Sequence, residues 1–311
     1  MLSRVADAFY WMSRYLERAE HAARTVDVYL SLTLDGSTGR TLLASISAPP
    51  AAHAPRLRVV DPASPGRLDQ RYRDAVAGCI VAARENARHI REQVSSEMWE
   101  QLNRMYLLIR EAEQEEVWTD EPGAFVRAIV EGAHLFHGVT ESTLSHDEGW
   151  HYLQIGRFIE RATTTAMMLE APFRESNGGG AAPGEYVEWV GLLRACGAFE
   201  AYCKHYTADL RPERIAEFLL LSADFPRSVR FVIDRVEDSL RAIARSLGRS
   251  NGRPERFAGR LKATLAYGQI DEIMADSPLR YLENIHKQCE QVHAALYQTY
   301  ITYSIEAAIA S

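Results

Sequence analysis

Apolar residues recur at steps of three and four from the start of the chain, at Leu2, Val5, Phe9, Met12, Leu16, Ala19, Ala23, Val26 and Leu30. That spacing keeps side chains on one face of an α-helix and predicts a first helix that runs until Asp35-Gly36 stops it. The stripe then returns. RYLERA at Arg14 to Ala19 is matched by RFIERA at Arg157 to Ala162. A shift of 143 positions carries Phe9, Met12, Leu16, Ala19, Ala23 and Val26 onto Tyr152, Ile155, Ile159, Ala162, Ala166 and Leu169. Each copy bears a Glu-Arg pair well round from its stripe. Neighbours on a helix sit about 100° apart, so neither pair can close on itself.

Between these two helices the pattern changes character. Residues 35–66 are rich in Gly, Ser, Ala and Pro, with Pro49-Pro50, Pro55, Pro62 and Pro65, and read as a mobile excursion holding at most a short helix around Thr41 to Ser47. A long helix follows from about Arg67 with the stripe Val76, Ile80, Ala83, Ala87, Ile90 and Val94, and Ser95-Ser96 kinks or restarts it before Met98, Leu102, Met105 and Ile109. Glu121-Pro122-Gly123 marks a turn before a helix over Phe125 to Leu144, and the second Glu-Arg helix spans about Gly149 to Leu169. Gly178-Gly179-Gly180 divides the halves. Beyond it the pattern predicts helices over Tyr186 to Tyr206, Pro212 to Leu221 and Arg227 to Leu247, two further helical stretches, and a terminal helix from Pro278 to about Ala308. Only Leu57 to Val60 resembles a strand. The expectation is an all-α, single-domain bundle of roughly eight to ten helices over residues 1–311, built from two pseudo-symmetric repeats at about 1–145 and 146–311.

Composition narrows the function. A chain of 311 residues with 47% hydrophobic and 25% charged residues can bury a sizeable core. A net charge of -7 argues against a dedicated nucleic-acid or anionic-membrane binder, whose footprint would be basic. Cys79, Cys196, Cys203 and Cys289 form no CxxC pair and read as reduced core residues. With no run of eighteen apolar residues and no apolar leader segment, the expected location is cytoplasmic.

Arg84, Arg88, Arg91 and Ser95 form a polar stripe against the core stripe of their helix. Guanidinium groups that close to a core need acidic partners or an anion. The first Glu-Arg helix keeps a polar flank of Tyr10, Arg14, Glu17, His21 and Arg24; its copy keeps Arg157 and Glu160 but has Leu153, Thr164 and Met167 at the other three places. One working centre shared by both halves fits that departure better than a symmetric double site. The competing chemistry is a di-iron-like bundle enzyme, which uses two Glu-x-x-His motifs and two further glutamates. Glu131/His134, Glu283/His286 and Glu290/His293 have the spacing, with Glu17 and Glu160 as additional ligands. Arginines beside both glutamates repel a cation, so the reading is free of metal and of any other cofactor. The basic run Arg241, Arg245, Arg249, Arg253, Arg256, Arg260 and Lys262 reads as a solvated face.

The segments MLSRVADAFYWMSRYLERAEHAAR, AARENARHIREQVSSEMWEQLN, GWHYLQIGRFIERA and FPRSVRF resemble the alpha-E domain family, an all-helical family named for a Glu-Arg motif. The resemblance implies the motif positions Glu17, Arg18, Glu160 and Arg161, together with Arg84, Glu85, Asn86, Arg88, Arg91 and Glu92. It also implies company: circularly permuted ATP-grasp proteins of the amide-ligase type, often a transglutaminase-fold protein, and a role in making or modifying a peptide. The expectation is a helical partner of such a ligase that binds or presents an acidic or peptidic substrate, with a purely structural interaction module as the blander alternative. In this reading Glu17 and Glu160 are structural, and Arg84, Arg88 and Arg91 face the ligand.

Overall fold

The computed structural model describes residues 1–34, 42–43, 46, 70–114, 121–175, 183–207, 209–249 and 252–302. Among these residues there are twelve α-helices and no strand. They are α1 (Ser3–Leu34), α2 (Gln70–His89), α3 (Ser96–Gln114), α4 (Pro122–Thr143), α5 (Glu148–Glu175), α6 (Pro183–Ala195), α7 (Phe199–Tyr206), α8 (Pro212–Leu221), α9 (Val229–Ser246), α10 (Arg253–Ala266), α11 (Ile270–Asp276) and α12 (Pro278–Leu296). A π-helical turn, Tyr297–Ile301, follows α12. The all-α expectation holds.

The helix count exceeds eight to ten for local reasons. The stretch expected as one helix over Tyr186 to Tyr206 is two, because Gly197 adopts a left-handed conformation at φ 57° that stops α6 before α7 starts at Phe199. The helix carrying the arginine stripe ends at His89, and α3 restarts at Ser96 with the Ser95 hydroxyl accepting from the Met98 amide at 3.1 Å. Of the excursion over 35–66 only residues 42, 43 and 46 are described, and Leu42 is buried there. The short strand-like run at 57–60, the glycines at 178–180 and the chain beyond 302 lie outside the described residues.

Both predicted stripes are core. Phe9, Met12, Leu16, Ala19, Ala23 and Val26 on α1, and Tyr152, Ile155, Ile159, Ala162, Ala166 and Leu169 on α5, are all buried. Contacts between the two helices advance together, from Phe9 beside Gly149 through Ser13 beside Gly156 to Glu17 beside Arg161, so they run parallel. The backbones approach closely at Gly156, where an added Cβ would overlap the Ser13 hydroxyl and the Tyr10 carbonyl oxygen. Only a residue without a side chain lets the backbones meet there.

Six of the remaining helices form two rings of contacts about this central pair. In the first, α1 packs on α2 and α4, and α3 joins α2 to α4. In the second, α5 packs on α9 and α12, and α10 joins α9 to α12. One contiguous apolar core runs through both rings.

Candidate functional site

At the crossing of α1 and α5 the two Glu-Arg motifs exchange partners. Arg161 grips Glu17 with both prongs of its guanidinium, Nε to Oε1 at 2.5 Å and Nη2 to Oε2 at 2.7 Å. Glu160 in turn receives Arg14 Nε at 2.8 Å and Arg18 Nε at 2.6 Å. Arg157, the counterpart of Arg14, has its Nε 3.7 Å from Glu17 Oε2. The exchange follows from the parallel packing, which brings each glutamate against the arginines of the other helix. All three chemical requirements of a buried ion are met at Glu160: opposite charge, short hydrogen bonds and exclusion of water.

Glu17 has a larger circle of neighbours. Glu20, one turn further along α1, is fully buried beside it and binds Arg227, Arg24 at 2.9 Å and His134 at 3.1 Å. Arg227 also approaches Glu17 at 3.6 Å. It reaches the centre from the turn before α9, which is fastened by the Ser228 hydroxyl accepting from the Phe231 amide at 3.1 Å. The turn lies on α5, since Arg161 Nη1 donates to the Pro226 carbonyl at 3.3 Å and the Thr165 hydroxyl to the Arg227 carbonyl at 3.4 Å. From α4 comes His137, whose Nε2 is 3.8 Å from Glu17 and 3.7 Å from Glu20. On the other flank the Tyr10 hydroxyl receives Arg14 Nη1 at 3.3 Å and shares a 2.7 Å hydrogen bond with His293 Nδ1 on α12.

The electrostatics follow from burial set against pairing. Burial alone would raise the Glu160 carboxyl, but Arg14 and Arg18 outweigh it and hold the group at about 2. The same contest, with Arg161 prevailing for Glu17 and Arg227 for Glu20, lowers both of those carboxyls. Burial and nearby guanidinium charge push His21 and His137 down to about 4, so both imidazoles are neutral at pH 7. Arg157 is brought down to about 10 by burial first and by Arg161 next. Tyr10 is raised to about 12, mainly by burial.

Counted over the described contacts, six guanidinium groups, Arg14, Arg18, Arg24, Arg157, Arg161 and Arg227, face three carboxylates, Glu17, Glu20 and Glu160. The centre therefore carries an excess of three positive charges while its two buried histidines are neutral. Glu17, Glu20 and His137 also present three ligand-type atoms within 4.8 Å of one another. A cation there would find Arg161, Arg157 and Arg227 against the Glu17 oxygens and Arg227 on Glu20 Oε1, with only Glu20 Oε2 unpartnered, so the charge balance disfavours it.

Of the residues singled out from the sequence, Arg14, Glu17, Arg18, Arg157, Glu160 and Arg161 come together here. The RENAR residues do not join them: among the described residues none of their bonds reaches Glu17 or Glu160. Arg84 donates to Asn103 at 2.7 Å and lies over the rings of Trp99 and Tyr106, Arg88 is exposed and pairs with Glu85 at 2.8 Å, and Arg91 lies 5.6 Å from the Trp99 ring. Asn86 bonds back to the Ala82 carbonyl, and Glu92 is exposed. The Glu-x-x-His pairs disperse as well. Glu131, Glu283 and Glu290 are exposed, while His134, His286 and His293 bind Glu20, Glu170 and Tyr10 respectively. Sequence reasoning missed Glu20, His137 and Arg227 as members of the centre.

Fold and site together define an all-helical domain whose two central helices are interlocked by buried, exchanged Glu-Arg pairs. The chain belongs to the alpha-E family, described as a predicted alpha-helical domain with a conserved ER motif, and the family pattern matches residues 1–301. It is similar to an uncharacterized protein of Mycobacterium bovis and another of Mycobacterium tuberculosis, each 26% identical over 309 residues, and to a further M. tuberculosis protein at 25%. The matched region covers 88% of this chain and 34% of each relative, so the chain spans about a third of the length of the curated relatives it matches. No solved structure matches it. Among the described residues no helix is long and apolar enough to cross a membrane.

Proposed function

We propose that this protein is the helical partner of an ATP-grasp-type amide or peptide ligase, and that the Glu-Arg centre binds or presents an acidic or peptidic substrate to it. The observation that carries the reading is the buried excess of guanidinium over carboxylate. A network serving architecture alone would be expected to balance its charges, because unpaired buried charge is costly. An excess held in place by the fold is what a carboxylate or acyl-phosphate ligand needs. In the mycobacterial relatives the matching region is about a third of a longer chain, an arrangement suited to a module working beside another one. This reading places the protein in the cytoplasm, where ATP is supplied, takes residues 1–311 as one domain of two halves, and treats the two contact rings as products of duplication. In it Arg88, which is exposed, and the half-buried Arg84 and Arg91 belong to a separate face available to the partner.

The completeness of Glu160's pairing favours a second, architectural reading for that half of the centre, and the two are compatible. Affinity purification at native expression levels, followed by ATP-turnover assays on the recovered material, tests the proposal. Recovery of an ATP-grasp-type ligase, with ATP consumption that depends on an acidic or peptidic substrate, is the expected result. Recovery of no ligase and no ATP-dependent activity would overturn it.

A further inference from the structure

The arginines that open the two motifs hold equivalent places and are used differently. Arg14 is committed to the protein, donating to Glu160 at 2.8 Å and to Tyr10 at 3.3 Å. Arg157 donates no hydrogen bond to any described residue, although its side chain is only 22% exposed. Its nearest carboxylate oxygen, Glu17 Oε2, is 3.7 Å away and already holds Arg161 Nη2 at 2.7 Å. The reason lies in the sequence: the place taken by Tyr10 on α1 is taken by Leu153 on α5, so Arg157 has no hydroxyl to meet.

Around Arg157, guanidinium groups outnumber carboxylates. Arg157 and Arg227 share Glu17, and Arg227 and Arg24 share Glu20 Oε1, so three guanidinium groups lie within one carboxylate of each other. Arg24 Nε, His21 Nε2 and both ring nitrogens of His137 are buried with no hydrogen-bond partner among the described residues, and so is one acceptor, Glu20 Oε2, 3.7 Å from His137 Nε2. The His137 side chain is 92% buried. A neutral imidazole still donates one N–H, and a buried donor without an acceptor is costly. His134, with a side chain 55% exposed, bonds Glu20 and Arg24 and marks where this side of the centre meets solvent.

We infer that the side of the centre bounded by Arg157, Arg24, Arg227 and His137 binds one multiply charged oxyanion, the phosphoryl or carboxylate head of an acidic ligand. This deepens the proposed function and rests on its reading of the centre as a substrate site. The anion accepts from Arg157 and His137, supplies the charge that Glu17 and Glu20 leave unmatched, and leaves the Arg14-Arg18-Glu160 half as an architectural clasp. Guanidinium forks suit both head groups, whereas a divalent cation would add to an existing positive excess.

Calorimetric titration of the purified chain with inorganic phosphate and, separately, citrate tests the inference, with chloride at matched ionic strength as the control. The expected result is saturable binding of at least one of the two that chloride does not reproduce. Tighter phosphate points to a phosphorylated ligand and tighter citrate to a carboxylate one. Arg157→Gln should weaken that binding about 10- to 100-fold, the range for losing a charged hydrogen bond, and Arg88→Gln should leave it unchanged. If Arg157→Gln does not fold, Arg157→Lys, which keeps the charge and loses the fork, is judged by the same loss. No binding beyond chloride, or full binding by the Arg157 variant, would overturn the inference. Because the titration uses the chain alone, its failure leaves the ligase partnership to be decided by the purification experiment.

Discussion

Glu17 and Glu160 stand 143 positions apart at matching places on two parallel helices, and their surroundings differ. Around Glu160 the pairing is closed: two arginines of α1 bind its oxygens, and Thr164 turns its hydroxyl to the Glu160 carbonyl at 3.0 Å. Around Glu17 lie a second buried carboxylate, two neutral histidines and an arginine with no hydrogen bond to a described residue. The difference comes from the flank, where Tyr10, His21 and Arg24 on α1 match Leu153, Thr164 and Met167 on α5. Keeping the motif keeps the interlock of the helices. Changing the flank leaves one half of the centre with polar groups that the described residues do not pair.

The largest expected effect breaks the interlock itself. Glu17→Gln leaves Arg161, with a side chain 5% exposed, without its counter-charge and should cost about 3–5 kcal/mol in urea denaturation. A loss below about 1 kcal/mol would mean that the exchanged pairs do not hold the helices.

Acid should then separate the two halves. His21 and His137 are held at about 4 in the folded chain against 6.5 ordinarily, so between those values the unfolded chain binds more protons and stability falls as pH drops from 6.5 to 4. Each histidine contributes roughly 3 kcal/mol to that loss. Glu160, held at about 2 against 4.5, stabilises the fold above pH 4.5 and loses its contribution only as pH falls from 4.5 to 2. The Glu17 half is therefore the first to fail. Urea midpoints measured from pH 7 to pH 4 should decline steadily, and His21→Gln or His137→Gln should flatten the decline; a level parent profile would contradict this.

Gly156→Ala places a Cβ against the Ser13 hydroxyl and the Tyr10 carbonyl and should destabilise by about 1–3 kcal/mol, although alanine is the better helix former. A gain in melting temperature would show that the backbones do not meet there. The smallest effect belongs to the RENAR stripe. Arg88 and Glu85 have side chains 55% and 41% exposed, so Arg88→Gln should change stability by under about 0.5 kcal/mol in the same denaturation assay.

The fold was largely legible because its stripes are regular: every residue of the two matched stripes is buried, as are Val76, Ile80, Ala83, Ala87, Ile90 and Val94 on the arginine-bearing segment. The break at Gly197 was not, since the apolar pattern continues across it and only a left-handed backbone ends the helix. Within the centre, Glu17, Arg18, Glu160 and Arg161 were legible through their repetition. The exchange of partners was not, because it depends on two distant helices lying parallel. Glu20 sits one turn from Glu17 and His137 follows the buried Ala133 by one turn, so both carried a weak signal of a buried face. Arg227 had only its place after Phe225-Pro226, and 207 positions separate it from Glu20. The arginines at 84 and 91 needed no carboxylate of the centre, since Trp99 and Tyr106 on α3 offer them ring faces and Arg84 also meets Glu85 at 3.3 Å.

The exchange of partners is tested most directly by two double-mutant cycles measured in urea, Glu17→Gln with Arg161→Gln and Glu17→Gln with Arg18→Gln. Glu17 and Arg161 are bonded across the helix crossing at 2.5 and 2.7 Å, whereas Glu17 and Arg18 are chain neighbours and Arg18 serves Glu160. The first cycle should give a coupling of about 2–3 kcal/mol and the second under about 0.5 kcal/mol. Strong coupling of Glu17 to Arg18, with none to Arg161, would contradict the exchanged pairing.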